Sequence, residues 1–420
     1  LKKNIYILNH YATDMYFNEG GRHLWFAQKL KENGYNPIVF CASTTHNSNK
    51  EYFQEEHYKI KYFESIPFVF IKCAKYNTNG FSRINNMFDF YRGIISLRKI
   101  DLGIPNPDVI YASSVHPLTL VAGIRLAKFF GVECISEVRD LWPESIVAYS
   151  RLTKKNPVIR LLYQGEKWIY KKSDKVIMTW EGGYDYVLDQ GWNNLPASKF
   201  FHINNGVILK DFDSNIERNV YKDKILSDKN YINIVYTGSI RKVNNLDFIL
   251  DVAKKLSQEN NKIRFLMYGS GDEVSKIKKR INDENIFNAL YMGKVEKKYI
   301  PSILSQATIN LLHNQSTILD KYGQSQNKLF EYLAAGKPIL QTYTTNYSVI
   351  EKYSCGEMCE KQEIEQVIFN LKKIVNSSDM IEMGNNARDA VLQYDYDLLT
   401  QKLINVIENK KMEIIDYDTI

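Results

Sequence analysis

Lys328 and Glu331 lie one helical turn apart in the run Asn327-Lys328-Leu329-Phe330-Glu331-Tyr332-Leu333-Ala334-Ala335-Gly336-Lys337-Pro338. Ser325 can cap a short helix over this run, and Gly336 followed by Pro338 ends it. On that helix Leu329, Tyr332 and Leu333 share an apolar face, while Lys328, Glu331 and Ala335 fall at i, i+3 and i+7 on another. A cation and a carboxylate therefore stand together near free helix N–H groups that attract anions. The pairing suits a sugar linked to a diphosphate. Lys328 can neutralise phosphate charge, and Glu331 can accept hydrogen bonds from two ribose hydroxyls. An ordinary amphipathic helix with a solvated Lys and Glu has the same spacing, so the reading needs support from the rest of the chain.

Other candidate groups sit where strands end. Gly20-Gly21 follows a first strand and lets backbone amides approach an anion. Val138-Arg139-Asp140-Leu141-Trp142-Pro143-Glu144-Ser145 is a charged loop after another strand. His116, in Ser113-Ser114-Val115-His116-Pro117, can touch a sugar or an acceptor, although a lone loop His is more often a hydrogen-bonded structural residue. The Asp-x-Asp pairs Asp211/Asp213, Asp395/Asp397 and Asp416/Asp418 read as solvated acids and helix caps rather than metal ligands.

These groups are positioned by alternating strands and helices, the mark of parallel α/β sheets. Ile5 to Leu8 reads as a strand, His10 to Gly21 as a long connection, Arg22 to Glu32 as a helix closed by Gly34, and Ile38 to Ala42 as the next strand. Residues 60–100 are less regular. Phe81, Ile84, Met87, Phe88, Tyr91, Ile94 and Ile95 recur there near helical spacing, with Arg83, Arg92, Arg98 and Lys99 between them. That stripe is either the packed face of a helix or a basic amphipathic surface for anionic membrane. Asn204-Asn205-Gly206 is a turn, and the polar stretch from Lys210 to Asp228 reads as a linker. A domain boundary falls here: residues 1–204 form one domain, joined by a last helix over about 397–410, and 205–396 form another. The second domain repeats the pattern, with Ile232 to Tyr236, Ile263 to Tyr268, Thr308 to Leu312 and Pro338 to Thr342 as strands.

A chain of 420 residues, 44% hydrophobic and 25% charged, is that of a soluble globular protein with two cores. The net charge of +7 fits phosphate-bearing partners without choosing among them, and it gives no basic domain, so a nucleic-acid partner is not expected. Five scattered cysteines, with Cys355 and Cys359 lacking further ligands, suggest a reduced, cytoplasmic setting. No run approaches a membrane span or a signal-peptide core. Leu1 in place of Met suggests that the native N-terminus lies elsewhere.

Taken in order, several stretches resemble the GT-B glycosyltransferases of family 4, closest to the branch that builds bacterial surface polysaccharide. They are Gly20-Gly21-Arg22-His23, Glu137 through Ser145, Asn205-Gly206-Val207, Thr237-Gly238-Ser239-Ile240, Gly269-Ser270-Gly271 and the 327–338 run. The resemblance implies an α/β protein of two Rossmann-like domains facing across a cleft, a retaining mechanism, and no cofactor or metal. The second domain would hold a nucleotide-diphosphate sugar, UDP-linked and carrying a hexose or N-acetylhexosamine. The first would hold a lipid-linked saccharide at the inner face of the plasma membrane. Carried over by residue, Glu331 would hold the ribose; Lys328 and the Gly238-Ser239 loop would meet the diphosphate; Gly293-Lys294-Val295 would pass near the base; and Asn327 would belong to the donor-binding set. Gly20 and Gly21 would form an acceptor or phosphate loop, and Arg139 and Asp140 would lie close to the transferred sugar, with His116, from its place just after a strand, as the third catalytic candidate.

Two departures stand out. Relatives place a glutamate where this chain has Gly323, and an arginine and a lysine where it has Ser239 and Asn244, so Arg241 or Lys242 would share the leaving-group charge with Lys328. Two other readings stay open: a sugar-nucleotide epimerase of the same architecture, and a silent nucleotide-sugar-binding protein.

Overall fold

The computed structural model describes residues 2–45, 52, 56–76, 80–114, 116–259 and 262–410. The pair Asp416/Asp418, Leu1 and Val115 lie outside the described residues. The chain divides into two compact units, one of residues 1–204 with 396–420 and one of residues 205–395.

The first unit is built on an eight-stranded sheet: β1 (Asn4–Leu8), β2 (Asn36–Ala42), β3 (Tyr58–Phe63), β4 (Ile66–Ile71), β5 (Val109–Ser113), β6 (Glu133–Val138), β7 (Lys175–Met178) and β8 (Phe200–His202). Their spatial order is β3-β4-β2-β1-β5-β6-β7-β8, parallel except for the antiparallel β3–β4 pair. The central strands are apolar on both faces because helices cover both sides; β5 is buried at every residue. The strand order reverses between β1 and β5, so the loops leaving those two strands open a crevice at the sheet's carboxyl edge. The loop after β1 is not bare: Ala12–Phe17 forms a short helix within it, with Ala12 and Thr13 buried. Gly21 then starts the Arg22–Glu32 helix at a φ of 133°. The final helix, Tyr396–Ile407, packs on Arg22–Glu32 through Tyr396 against Trp25 and Phe26, and Lys29 pairs with Asp397 at 2.8 Å.

The second unit has a six-stranded parallel sheet: β9 (Ile232–Ser239), β10 (Ile263–Ser270), β11 (Ala289–Gly293), β12 (Ile309–Leu312), β13 (Ile339–Gln341) and β14 (Gly356–Met358), in the order β11-β10-β9-β12-β13-β14. Here the order reverses between β9 and β12. The stretch expected as a polar linker instead contains a helix, Leu209–Arg218. Phe212 is buried in the core with Leu209 and Ile216 packed beside it, at i, i+3 and i+7. Its Asp213 is no solvated acid, because both carboxylate oxygens accept hydrogen bonds from Arg388, each at 2.9 Å. All five cysteines are free and buried. Among the described residues no helix is long and apolar enough to cross a membrane.

Candidate functional site

The 327–338 run folds as a helix over Asn327–Ala334, with Leu329, Phe330, Tyr332 and Leu333 in the core. The N-cap is Gln326, not Ser325; the Ser325 carbonyl and hydroxyl oxygens instead accept hydrogen bonds from Asn205 Nδ2. Tyr332 fixes the helix to the sheet. Its hydroxyl accepts from the Thr237 N–H at 3.0 Å and lies 3.2 Å from the Thr237 carbonyl, at the end of β9.

Past Thr237, β9 and β10 continue side by side with Gly238 opposite Gly269 and Ser239 opposite Ser270. A Cβ on Gly269 would stand 1.8 Å from the Gly238 carbonyl oxygen, so only glycine permits this backbone contact. Gly269→Ala is expected to destabilise the second unit by more than about 2 kcal/mol and to open the neighbouring loop. Thermal unfolding with and without nucleotide would register both losses.

Around these loops lies a cavity of about 850 Å³. Its walls include Gly238, Ser239, Arg241, Val295, Asn327, Lys328 and Glu331, seven donor-binding candidates from the sequence that come to one place. Lys242 does not line it; that side chain faces a neighbouring cavity of about 460 Å³. Five further wall residues carry no motif: Tyr268, Glu296, Lys297, Ile300 and Gln326. Tyr268 is fully buried, and its hydroxyl has no hydrogen-bond partner among the described residues. A tyrosine ending an apolar strand gives no sign in the sequence that its oxygen is unsatisfied.

The electrostatics favour an anion. Lys328 Nζ donates to the His313 carbonyl at 2.6 Å and lies 4.5 Å from the centre of the Tyr236 ring. No carboxylate offsets its burial, which pushes the ammonium down to about 7. His313 Nε2 faces the Asn245 carbonyl at 3.0 Å and Nδ1 faces the Thr342 hydroxyl at 2.6 Å, an arrangement suited to the neutral ring protonated on Nε2. Burial holds that imidazole down at about 3. Burial raises the Glu331 carboxyl, with Lys297 opposing the shift. Ser239 Oγ bonds Asn244 Oδ1 at 2.8 Å, which fixes the loop where the resemblance led us to expect cations. Gly323 sits at a φ of 115°, a conformation that an L side chain rarely adopts.

In the first unit the candidate groups divide. Arg22 and His23, just past Gly20-Gly21, close on Glu137 of β6, and all three are buried. Arg22 Nε and Nη2 bond Glu137 Oε1 at 2.8 and 2.6 Å, while Nη1 and Nη2 donate to the carbonyls of Asn204 and Ile203. His23 Nε2, Ser113 Oγ and Tyr111 Oη also surround the Glu137 carboxylate. Despite its burial, Arg22 and His23 hold this carboxyl well below its usual range. Arg139 is half-buried with its Nε unpartnered among the described residues, and Asp140 is exposed. His116 is fully buried: its Nε2 faces His10 Nδ1 at 2.5 Å. Burial, then His10 and Arg83, hold that imidazole well below its usual value, so it is neutral. In this arrangement His116 braces the loops after β1 and β5. Among the described residues no cluster of three His, Cys, Asp or Glu could hold a metal ion.

Residues 217–390, almost all of the second unit, match the family model of glycosyl transferases group 1. Solved structures match the whole chain. A sucrose-phosphate synthase from Thermosynechococcus elongatus superposes with a TM-score of 0.68 at 14% identity, covering 97% of this chain and 99% of its own. The fold is GT-B. An E. coli trehalose-6-phosphate structure bound with UDP-2-fluoro glucose gives a TM-score of 0.71 at 12% identity, covering 96% and 99% of the two chains. Anabaena HepE, in complex with UDP and glucose, gives 0.65 at 12% identity, covering 97% and 100%. No curated protein matches the chain at a significant level. The GT-B assignment matches the two units as described, each a parallel sheet (apart from the β3–β4 pair of the first) between helices with its loops at a strand-order reversal.

Proposed function

We propose that this GT-B protein is a glycosyltransferase that moves a hexosyl or N-acetylhexosaminyl group from a UDP-linked donor to a lipid-linked saccharide. The setting would be bacterial surface polysaccharide or glycan synthesis, at the cytoplasmic face of the membrane. The observation that carries this reading is the cavity in which Lys328 and Glu331, one turn apart on a buried helix, face the Gly238-Ser239 loop. UDP in two structurally similar proteins supports the choice of nucleotide.

In this reading Glu331 accepts hydrogen bonds from the ribose hydroxyls, while Lys328, Arg241 and the N–H groups of the Gly238-Ser239 loop bind the diphosphate. These contacts strengthen as the sugar–phosphate bond breaks and charge gathers on the leaving oxygen, which lowers the barrier. The acceptor hydroxyl attacks the sugar from the side the diphosphate leaves, and its proton passes to the departing phosphate oxygen. The anomeric configuration is retained and no carboxylate nucleophile is used. Side chains and backbone supply the positive charge, so the reading assigns no role to a metal, and a chelator should leave transfer unchanged.

Glu331→Ala and Lys328→Ala are each expected to weaken UDP binding by about 1–3 kcal/mol, as for hydrogen bonds to charged groups. Calorimetric titration with UDP measures it, and unchanged affinity in both variants would defeat the assignment. Incubation with UDP-sugars alone separates the alternatives, since an epimerase converts the donor sugar without any acceptor.

A further inference from the structure

One face of the first sheet is covered by three neighbouring helices, Phe81–Ser96, Pro117–Phe130 and Pro157–Lys172. The first two are tied together: Arg125 hydrogen-bonds Tyr91, and Arg98 lies over the Phe129 ring. The third packs on the second.

Their outer surfaces are unusual for a layer that meets only water. In the first helix Met87, Phe90 and Ile94 pack inward, as the helical spacing predicts. Phe81, Ile84 and Phe88 recur at i, i+3 and i+7 on the outside, and Phe81 is 87% exposed. In the third helix Ile159, Tyr163 and Tyr170 face the core, whereas Val158, Leu161 and Trp168 form an outer stripe, with Leu161 72% exposed. Single exposed apolar residues need no explanation, but two stripes on one helical layer do. Crossover helices run antiparallel to the strands they join, so both stripes begin toward the sheet's carboxyl edge. That edge also carries the Gly20-Gly21 loop and Arg139.

The charge on this layer has one sign. Exposed Arg92, Arg160, Lys171 and Lys172 flank the stripes, with Arg151, Lys155 and Lys154, the last paired with Glu144 at 2.8 Å, just before the third helix. The only acids in the three helices are Asp89, which accepts a hydrogen bond from the Ala74 N–H, and Glu166, which is buried. The whole chain carries only +7.

We propose that this three-helix layer docks on an anionic lipid surface. Phe81, Ile84, Phe88, Val158 and Leu161 enter the acyl boundary, and the Arg and Lys side chains lie among the headgroups. The proposal deepens the lipid-linked acceptor reading and rests on it for its purpose: the docked face holds the carboxyl edge of the first sheet close to the carrier lipid.

Vesicle co-sedimentation of the full chain tests it, without donor or acceptor, on phosphatidylcholine alone and on phosphatidylcholine mixed with phosphatidylglycerol. Binding is expected only to the mixed vesicles, weakening as salt rises. Phe81→Ser with Phe88→Ser, and separately Arg160→Glu with Lys171→Glu, should each lower the partition coefficient about tenfold or more. Both pairs should keep the wild-type unfolding temperature and its shift with UDP. Equal binding to both vesicle types, no binding, or binding untouched by either pair overturns the proposal. So does a concentration-dependent dimer abolished by Phe81→Ser with Phe88→Ser, which would give the face to a second copy of the chain. A wild-type protein that sediments but shows no UDP shift would sink the donor reading and leave this one standing; the reverse result would do the opposite.

Discussion

Arg22→Ala is expected to lower the stability of the first unit by about 3–5 kcal/mol, the cost of leaving a buried charge without its counter-ion. Arg22 is 3% exposed and Glu137 fully buried. His23 and the Tyr111 and Ser113 hydroxyls would remain around the carboxylate, but none replaces the guanidinium charge, because burial holds the His23 imidazole below its usual value. Arg22 also satisfies the Ile203 and Asn204 carbonyls at the end of the first unit, and those contacts go with it. Urea unfolding followed by tryptophan fluorescence would show the loss, and a midpoint within error of wild type would contradict it. Arg22→Lys should recover little, since an ammonium cannot make the paired contacts of a guanidinium. The same pair fixes an acid limit. The Glu137 carboxyl is depressed in the folded state, so its contribution is full above the ordinary carboxylate range and is lost as pH falls through that range toward its folded value. Wild-type stability should therefore fall with acid below about pH 4.5, more steeply than that of Arg22→Ala.

The second large effect concerns donor binding and pH. In the free protein burial holds Lys328 at about 7, so above neutrality much of it is uncharged. A bound diphosphate favours the ammonium and raises that value, which means that binding takes up a proton. Between about pH 7.5 and 9.5 the affinity for UDP should fall by up to tenfold per pH unit, until the pKa of the complex is reached. Calorimetry in buffers of different ionisation enthalpy counts the proton directly. Lys328→Arg, which stays charged throughout, should flatten the profile even if its affinity at pH 7 is lower. A flat wild-type profile with no proton uptake would show that Lys328 does not meet the phosphates.

Sequence alone carried the α/β alternation, because buried parallel strands and amphipathic helices leave different short-range periods in the residue order. It also carried the helix with Lys328 and Glu331, whose relation is set by helical geometry over a single turn. Motifs bounded by glycine were legible for a similar reason: the Gly269 backbone contact admits no other side chain. What the residue order could not hold were relations fixed only by packing. Arg22 and Glu137 are 115 residues apart, and nothing local marks either as the other's partner. The 209–218 segment reads as a linker until Phe212 finds a core to enter and Asp213 finds Arg388. His116 became a buried brace because the chain brings His10, itself stacked on Phe90, against it. Lys328 acquired its shifted acidity from burial, which depends on everything folded around the ammonium. Local period and backbone permission are written in short stretches of sequence; desolvation and charge pairing exist only once distant stretches meet.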